Sequence, residues 1–214
     1  MNATINRDIF KHLNTNSQGF NNLCTIIHLI AAEGQYTGQV YLQGNLLGAF
    51  SLVSDASVTD TQVQIDVSTF DHVSQVNLKN QVDPNPSYSV GKGGYMLLYA
   101  SGPQDGFYVT LSTNAGNTAT VVFDTRDLNN GDLAIFRPVT PGSYTLTNDK
   151  GTQQASITVQ SYPDHQYPNP ATLNPIAANL TAAGFVPNSI TLSPLQALVV
   201  TIATLASLDF SGSN

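Results

Sequence analysis

"GFVPNSITLSPLQALVVTI", residues 184–202, decides the fold. "SITL" alternates polar and apolar residues, and "LVVTI" gathers β-branched ones, with prolines on the flanks. β-branched side chains suit a pleated surface and proline cannot donate to a ladder, so the stretch reads as strands separated by turns. Few residues follow it. Two or three strands after residue 175 bury too little apolar surface to stand alone. They must complete a sheet begun elsewhere, in this chain or in another copy of it.

Period-two alternation continues toward the N-terminus as far as residue 36. "YTGQVYL" and "LLGAFSLV" flank "QGN" and predict a hairpin turning near Gly44 and Asn45. "TQVQIDVS" places Val63, Ile65 and Val67 on one face and Gln62, Gln64 and Asp66 on the other. Further strands are expected at 94–100, 106–112, 118–123, 132–137, 142–148 and 154–160, separated by "SGPQDG", "NAGN", "LNNGD", "TPG" and "NDKG". "LCTIIHLIAA" fits helical spacing through Phe20, Leu23, Ile27 and Ile30, but its β-branched residues favour a strand.

The fold class expected is all-β, built from immunoglobulin-like or cupredoxin-like Greek-key sandwiches, with a single jelly roll as the alternative. Residues 1–20 read as an N-terminal arm. Residues 21–86 plus 168–214 would form a first, discontinuous sandwich. Residues 88–162 would be an inserted immunoglobulin-like sandwich, and the proline-rich 161–175 a linker or crossing loop.

Composition excludes some functions. Charged residues make up only 10% of the 214, and seven basic against fourteen acidic give a net charge of −7. An acidic surface repels polyanions, so nucleic acid is not an expected partner. The one cysteine, Cys24, rules out an intrachain disulfide. No apolar run is long enough for a membrane-spanning helix, and no signal peptide is recognisable. Abundant uncharged polar residues suit an extracellular or particle-surface location.

Two resemblances bear on chemistry. The stretch 184–202 resembles the strand pair that opens a cupredoxin, and "CTIIHLIAAEG" resembles the ligand loop of multicopper oxidases, with Cys24 and His28 three residues apart. Copper would need two imidazoles beside the thiolate. Leu23 and Thr25 stand where flanking histidines belong, so no ligand carries over and no cofactor is expected. "RPVTPGSYTLTN", residues 137–148, resembles the late strands of immunoglobulin-like and transthyretin-like modules.

"DTRDLNNGD" resembles the start of calcium loops and offers Asp124, Asp127, Asn129 and Asp132 as oxygen ligands. Gly131 occupies an acidic ligand's place, so a plain turn with Arg126 pairing one carboxylate is the competing reading. "VGKGGYM" lacks the P-loop spacing, and no G-x-S-x-G elbow occurs. Tyr162 and Tyr167 are candidate glycan platforms. The expected function is a non-enzymatic structural subunit of a surface layer, filament or virion, partnered by copies of itself. The alternatives are a monomeric carbohydrate-binding or adhesion module and an enzyme with a dispersed site.

Overall fold

Strands meet the period-two pattern along the whole chain in a computed structural model that describes residues 12–74, 85–115, 118–162 and 168–212. The first half carries β1 (Thr15–Asn16), β2 (Cys24–Ile30), β3 (Gly34–Leu42), β4 (Asn45–Ser54), β5 (Gln62–Asp66), β6 (Ser87–Val90), β7 (Gly94–Tyr99) and β8 (Phe107–Ala115). The second carries β9 (Thr118–Asp124), β10 (Leu133–Phe136), β11 (Gly142–Asn148), β12 (Gln154–Val159) and β13 (Ile176–Thr181). It ends with β14 (Gly184–Val186), β15 (Ser189–Leu192), β16 (Leu198–Ile202) and β17 (Leu208–Gly212). Among the described residues the helical segments are short 3-10 turns, Val67–Ser74 and Pro170–Thr172. The fold is all-β.

Three sheets result. A central seven-stranded sheet has the order β14-β13-β16-β10-β2-β7-β5. Two five-stranded sheets have the orders β6-β4-β3-β8-β9 and β1-β17-β11-β12-β15. Ile26 pairs with Ala134 and Cys24 with Phe136 across the β2–β10 seam, and all four are buried, so they share the inner face. Each half of that face is covered by one five-stranded sheet. His28 on β2 stacks on Phe123 of β9 at 4.1 Å, and Phe136 on β10 stacks on Phe210 of β17 at 5.2 Å.

The two halves repeat one topology. Hairpin β3–β4 corresponds to β11–β12, each with a parallel strand beside its second member, β6 and β15. β2 runs antiparallel to β7 and β5 parallel to β7, as β10 and β13 do to β16. Registers repeat as well: Ser51 faces Ser87 where Ser156 faces Ser189, and Val63 faces Met96 where Ile176 faces Leu198. Tyr36 and Tyr144 each donate a hydroxyl 2.7 Å to a carbonyl four residues upstream, on Ala32 and Thr140. Gly93 (φ 76°) and Leu195 (φ 65°) share a left-handed position, and their N–H groups donate to Ile30 and Pro138. A local pseudo-two-fold axis therefore passes between Ile26 and Ala134.

The first strand of each half lies in the other half's sheet. β9, which opens the second half, pairs with β8; β1, which opens the first, pairs with β17. Their anchors match. Thr125 N–H donates to Val109 O at 3.0 Å and Thr125 Oγ1 accepts from Val109 N–H at 3.1 Å. Ser17 does the same with Leu208, at 2.8 and 3.0 Å. The bridges Phe20–Phe107 and Leu128–Ala206 follow as a second matched pair. The molecule is thus a strand-exchanged pair of repeats on one chain.

Both hydroxyls are fully buried, so Ser17→Ala or Thr125→Val strands a backbone N–H. Each is expected to cost about 1–3 kcal/mol by denaturant titration, with similar size at the two sites.

Several expectations change. The strands of 88–162 do not close a sandwich of their own: β6, β8 and β9 join β3 and β4, β7 and β10 flank β2, and β11 and β12 join β17. The division falls instead between β8 and β9, because registers there exchange strands rather than insert a unit. Five strands, not two or three, follow residue 175. The N-terminal arm is described from residue 12 onward and supplies β1.

Candidate assembly surface

The outward faces of the three sheets differ sharply in chemistry. On β11, β12 and β15 the outward positions are hydroxyl-bearing apart from Gln154: Thr145 faces Ser156, which faces Ser189, and Thr158 faces Thr191. No apolar side chain interrupts them. The outer face of the other five-stranded sheet is mixed. There Tyr41 stacks on Tyr108 at 4.5 Å, and the Arg126 guanidinium lies 4.3 Å over Tyr108. Hydrogen bonds to Asp124 hold that guanidinium above its usual pKa.

The outer face of the central sheet is apolar at its middle. One row runs Gln64, Leu97, Ile27, Leu133, Thr201 and Asn179 across β5, β7, β2, β10, β16 and β13. The next runs Tyr99, Thr25, Ile135, Val199 and Ala177. Leu29 and Tyr95, the latter 42% exposed, extend it on one side. Polar residues stand at the margins: Gln62 and Gln64 on β5, Asn179 on β13, and Arg137 just past β10. A shallow hollow of about 360 Å³ roughens the centre, lined by Thr25, Leu97, Tyr99 and Ile135 and, on its polar side, by Asn22, Gln64 and Arg137. The side chains at its middle are half-buried and, among the described residues, no further layer covers this face; no helix among those residues is long and apolar enough to cross a membrane.

The sheet edges are poor templates for added strands. β14, β15, β6 and β5 have three, four, four and five residues, and β1 has two. β9 is longer, but its register slips at Leu111/Ser112, leaving Val122 bulged out of the ladder. Short and bulged edges resist edge-to-edge pairing.

The sites read from sequence are engaged otherwise. Asp124 is taken by Arg126, and Asp127 lies 2.5 Å from Lys150 Nζ. Asp132 accepts the Asn129 N–H at 2.7 Å and meets His28 Nδ1 at 2.6 Å, while the Asn129 amide donates to Asp127 O. The four oxygens groups therefore point to separate partners instead of one ion, and no metal-holding group of three His, Cys, Asp or Glu occurs among the described residues. Tyr162 shares a 2.7 Å hydrogen bond with Ser193 and donates to Gln160, which fixes its ring at the edge of the fold, half-exposed. Tyr167 lies outside the described residues. Cys24 is buried and desolvation pushes its thiol pKa far up, leaving an inert apolar residue.

His28 and Asp132 lie opposite each other at the seam, at the positions that mirror Phe136 and Cys24 about the pseudo-dyad. One side of the seam is closed by a polar pair, the other by an apolar one. A second concavity, of about 460 Å³, is lined by Pro141, Pro168, Pro170, Pro194, Val139 and Leu195. Its counterpart in the first half carries Glu33 and Lys92, 3.8 Å apart, and Gly93.

The central face went unread in the sequence. Its signal is the near-continuous apolar run in "CTIIHLI", "GYMLLY" and "LVVTI", which marks strands meant to be covered on both faces. No protein-family model, no curated protein and no solved structure matches the chain.

Proposed function

We propose that the protein is a non-enzymatic structural subunit that assembles with copies of itself, at a particle surface or outside the cell. The observation that carries this reading is the apolar outer face of the central sheet, which no other described residues cover, set against a hydroxyl face and a mixed polar face elsewhere. Exposed apolar patches ringed by polar residues mark interaction sites. We read each half as an immunoglobulin-like or cupredoxin-like sandwich. Tyr36 and Tyr144, bonded back to upstream carbonyls at strand starts, support the immunoglobulin-like form.

Light scattering across concentration tests the proposal. A mass of two or more chains, growing with concentration, is expected; a 22.8 kDa particle throughout would reject it. The proline-lined cleft favours a second reading, a monomeric binding module. Leu195 keeps a side chain in a left-handed conformation that costs roughly 1 kcal/mol where the other half has glycine, and that side chain lines the cleft. Retention of the monomer on an apolar ligand matrix, lost in Leu195→Gly, would support that reading over assembly.

A further inference from the structure

We infer that the assembling surface is the outer face of the central sheet and that its occupant is the same face of a second copy, turned over about an axis in the sheet plane. This rests on the assembly reading above and names its partner and contact.

The face is suited to a copy of itself. The pseudo-dyad between Ile26 and Ala134 stands perpendicular to the sheet, so the apolar stripe from Leu97 to Val199 looks alike from both ends. Ile27 and Ile135 occupy dyad-related positions, as do Leu97 and Val199. A copy laid over the face therefore meets apolar against apolar in either orientation. Sheets pack face to face with their strands about 30° apart, which lets two such stripes interdigitate.

Charge agrees. The chain carries −7 and its copies repel at long range, yet the stripe itself holds no charged group. Asp66, which ends the second row beside Tyr99, is already bound by Ser68 and Ser101, and Arg137 lines the hollow beside Thr25 and Ile135 as a single basic group. A polyanion or an anionic lipid surface finds no basic patch here, which leaves an uncharged apolar partner.

Area meets the minimum. Seven strands at about 4.8 Å spacing and about five residues at 3.3 Å give roughly 500 Å² of flat face per copy. Two copies bury about 1,000 Å², the least a specific interface is expected to clear and short of the ~1,200–2,000 Å² of stable ones, and side-chain relief adds to it. Strands of this near-continuous apolar type are ordinarily covered on both sides. The second copy supplies the missing layer and makes a four-layer particle.

Sedimentation of the whole chain tests this with three variants. Ile27→Glu places a charge at the centre of the contact and is expected to weaken self-association roughly 30-fold or more while melting as the wild type does at dilutions where both are monomeric. Thr158→Glu, on the hydroxyl face of the outer sheet, is expected to leave it unchanged. Leu133→Cys, paired with Ile27 at the centre of the stripe, is expected to give a disulfide-linked dimer on mild oxidation, and this readout stands even if Ile27→Glu fails to fold. The buried Cys24 does not compete. If oligomers form but ignore Ile27→Glu and Leu133→Cys gives no cross-link, the contact lies elsewhere and this inference is overturned, with assembly intact. A wild-type chain that stays monomeric at every concentration overturns both.

Discussion

Phe136→Ala is expected to destabilise the protein by about 3–5 kcal/mol, measured by denaturant unfolding. Phe136 is fully buried, and its ring stacks on Phe210 at 5.2 Å, which in turn stacks on Tyr144 at 5.0 Å. The pile ties the central sheet to the sheet that covers its second half. Truncation leaves a void between two layers that backbone ladders hold apart, so the site cannot collapse to fill it. Phe136→Leu keeps most of the volume and is expected to cost less than half as much. The mirrored position holds His28, stacked on Phe123 and bonded to Asp132, so the two halves solve the same packing problem with different chemistry. A loss confined to about 1 kcal/mol in Phe136→Ala would mean that the layers are not braced there.

Part of this was legible in the sequence. The hairpin around "QGN" appears as β3 and β4, turning through Gln43 and Gly44, both with positive φ as a two-residue turn requires. The strand at 142–148 has the bounds its alternation suggested, and "LCTIIHLIAA" resolves into β2 because its alternate residues are buried between sheets. Short strands were not legible. Ser87–Val90 and Gly184–Val186 hold four and three residues, too few for a period to show beside prolines and glycines, whereas the alternating "SITL" does appear as Ser189–Leu192.

The repeat itself left traces in "GQYT" and "GSYT" and in the pairs Asn21-Asn22 and Asn129-Asn130. Elsewhere identity survives only at scattered positions, such as Ser51 and Ser156 or Ile27 and Ile135, and otherwise apolar character alone persists, as in Ile26 against Ala134 or Leu111 against Phe210. Ladder hydrogen bonds do not depend on side chains, so topology survives where identity does not. The candidate calcium residues are ambiguous in sequence for a related reason. Oxygen-rich turns are common between strands, and their carboxylates here serve Arg126, Lys150, Asn129 and His28.

The second large effect follows from the exchange of first strands. Cut between Gly116 and Asn117, the chain yields fragments 1–116 and 117–214, one per repeat. Fragment 1–116 lacks β9, so β8 loses its outer neighbour and Thr125 no longer satisfies Val109 N–H. It also loses β10, and the inner face of β2 opens along Cys24 and Ile26. Fragment 117–214 loses β1 and Ser17 in the same way. Neither half has a finished sheet; together they have three.

Co-expression of the two fragments tests this most directly. Each repeat's ladder is sealed only by a strand borrowed from its sibling, so a one-to-one complex with a single cooperative melt is expected, and each fragment alone should show none. A lone fragment 1–116 or 117–214 that unfolds cooperatively as a monomer would contradict the account.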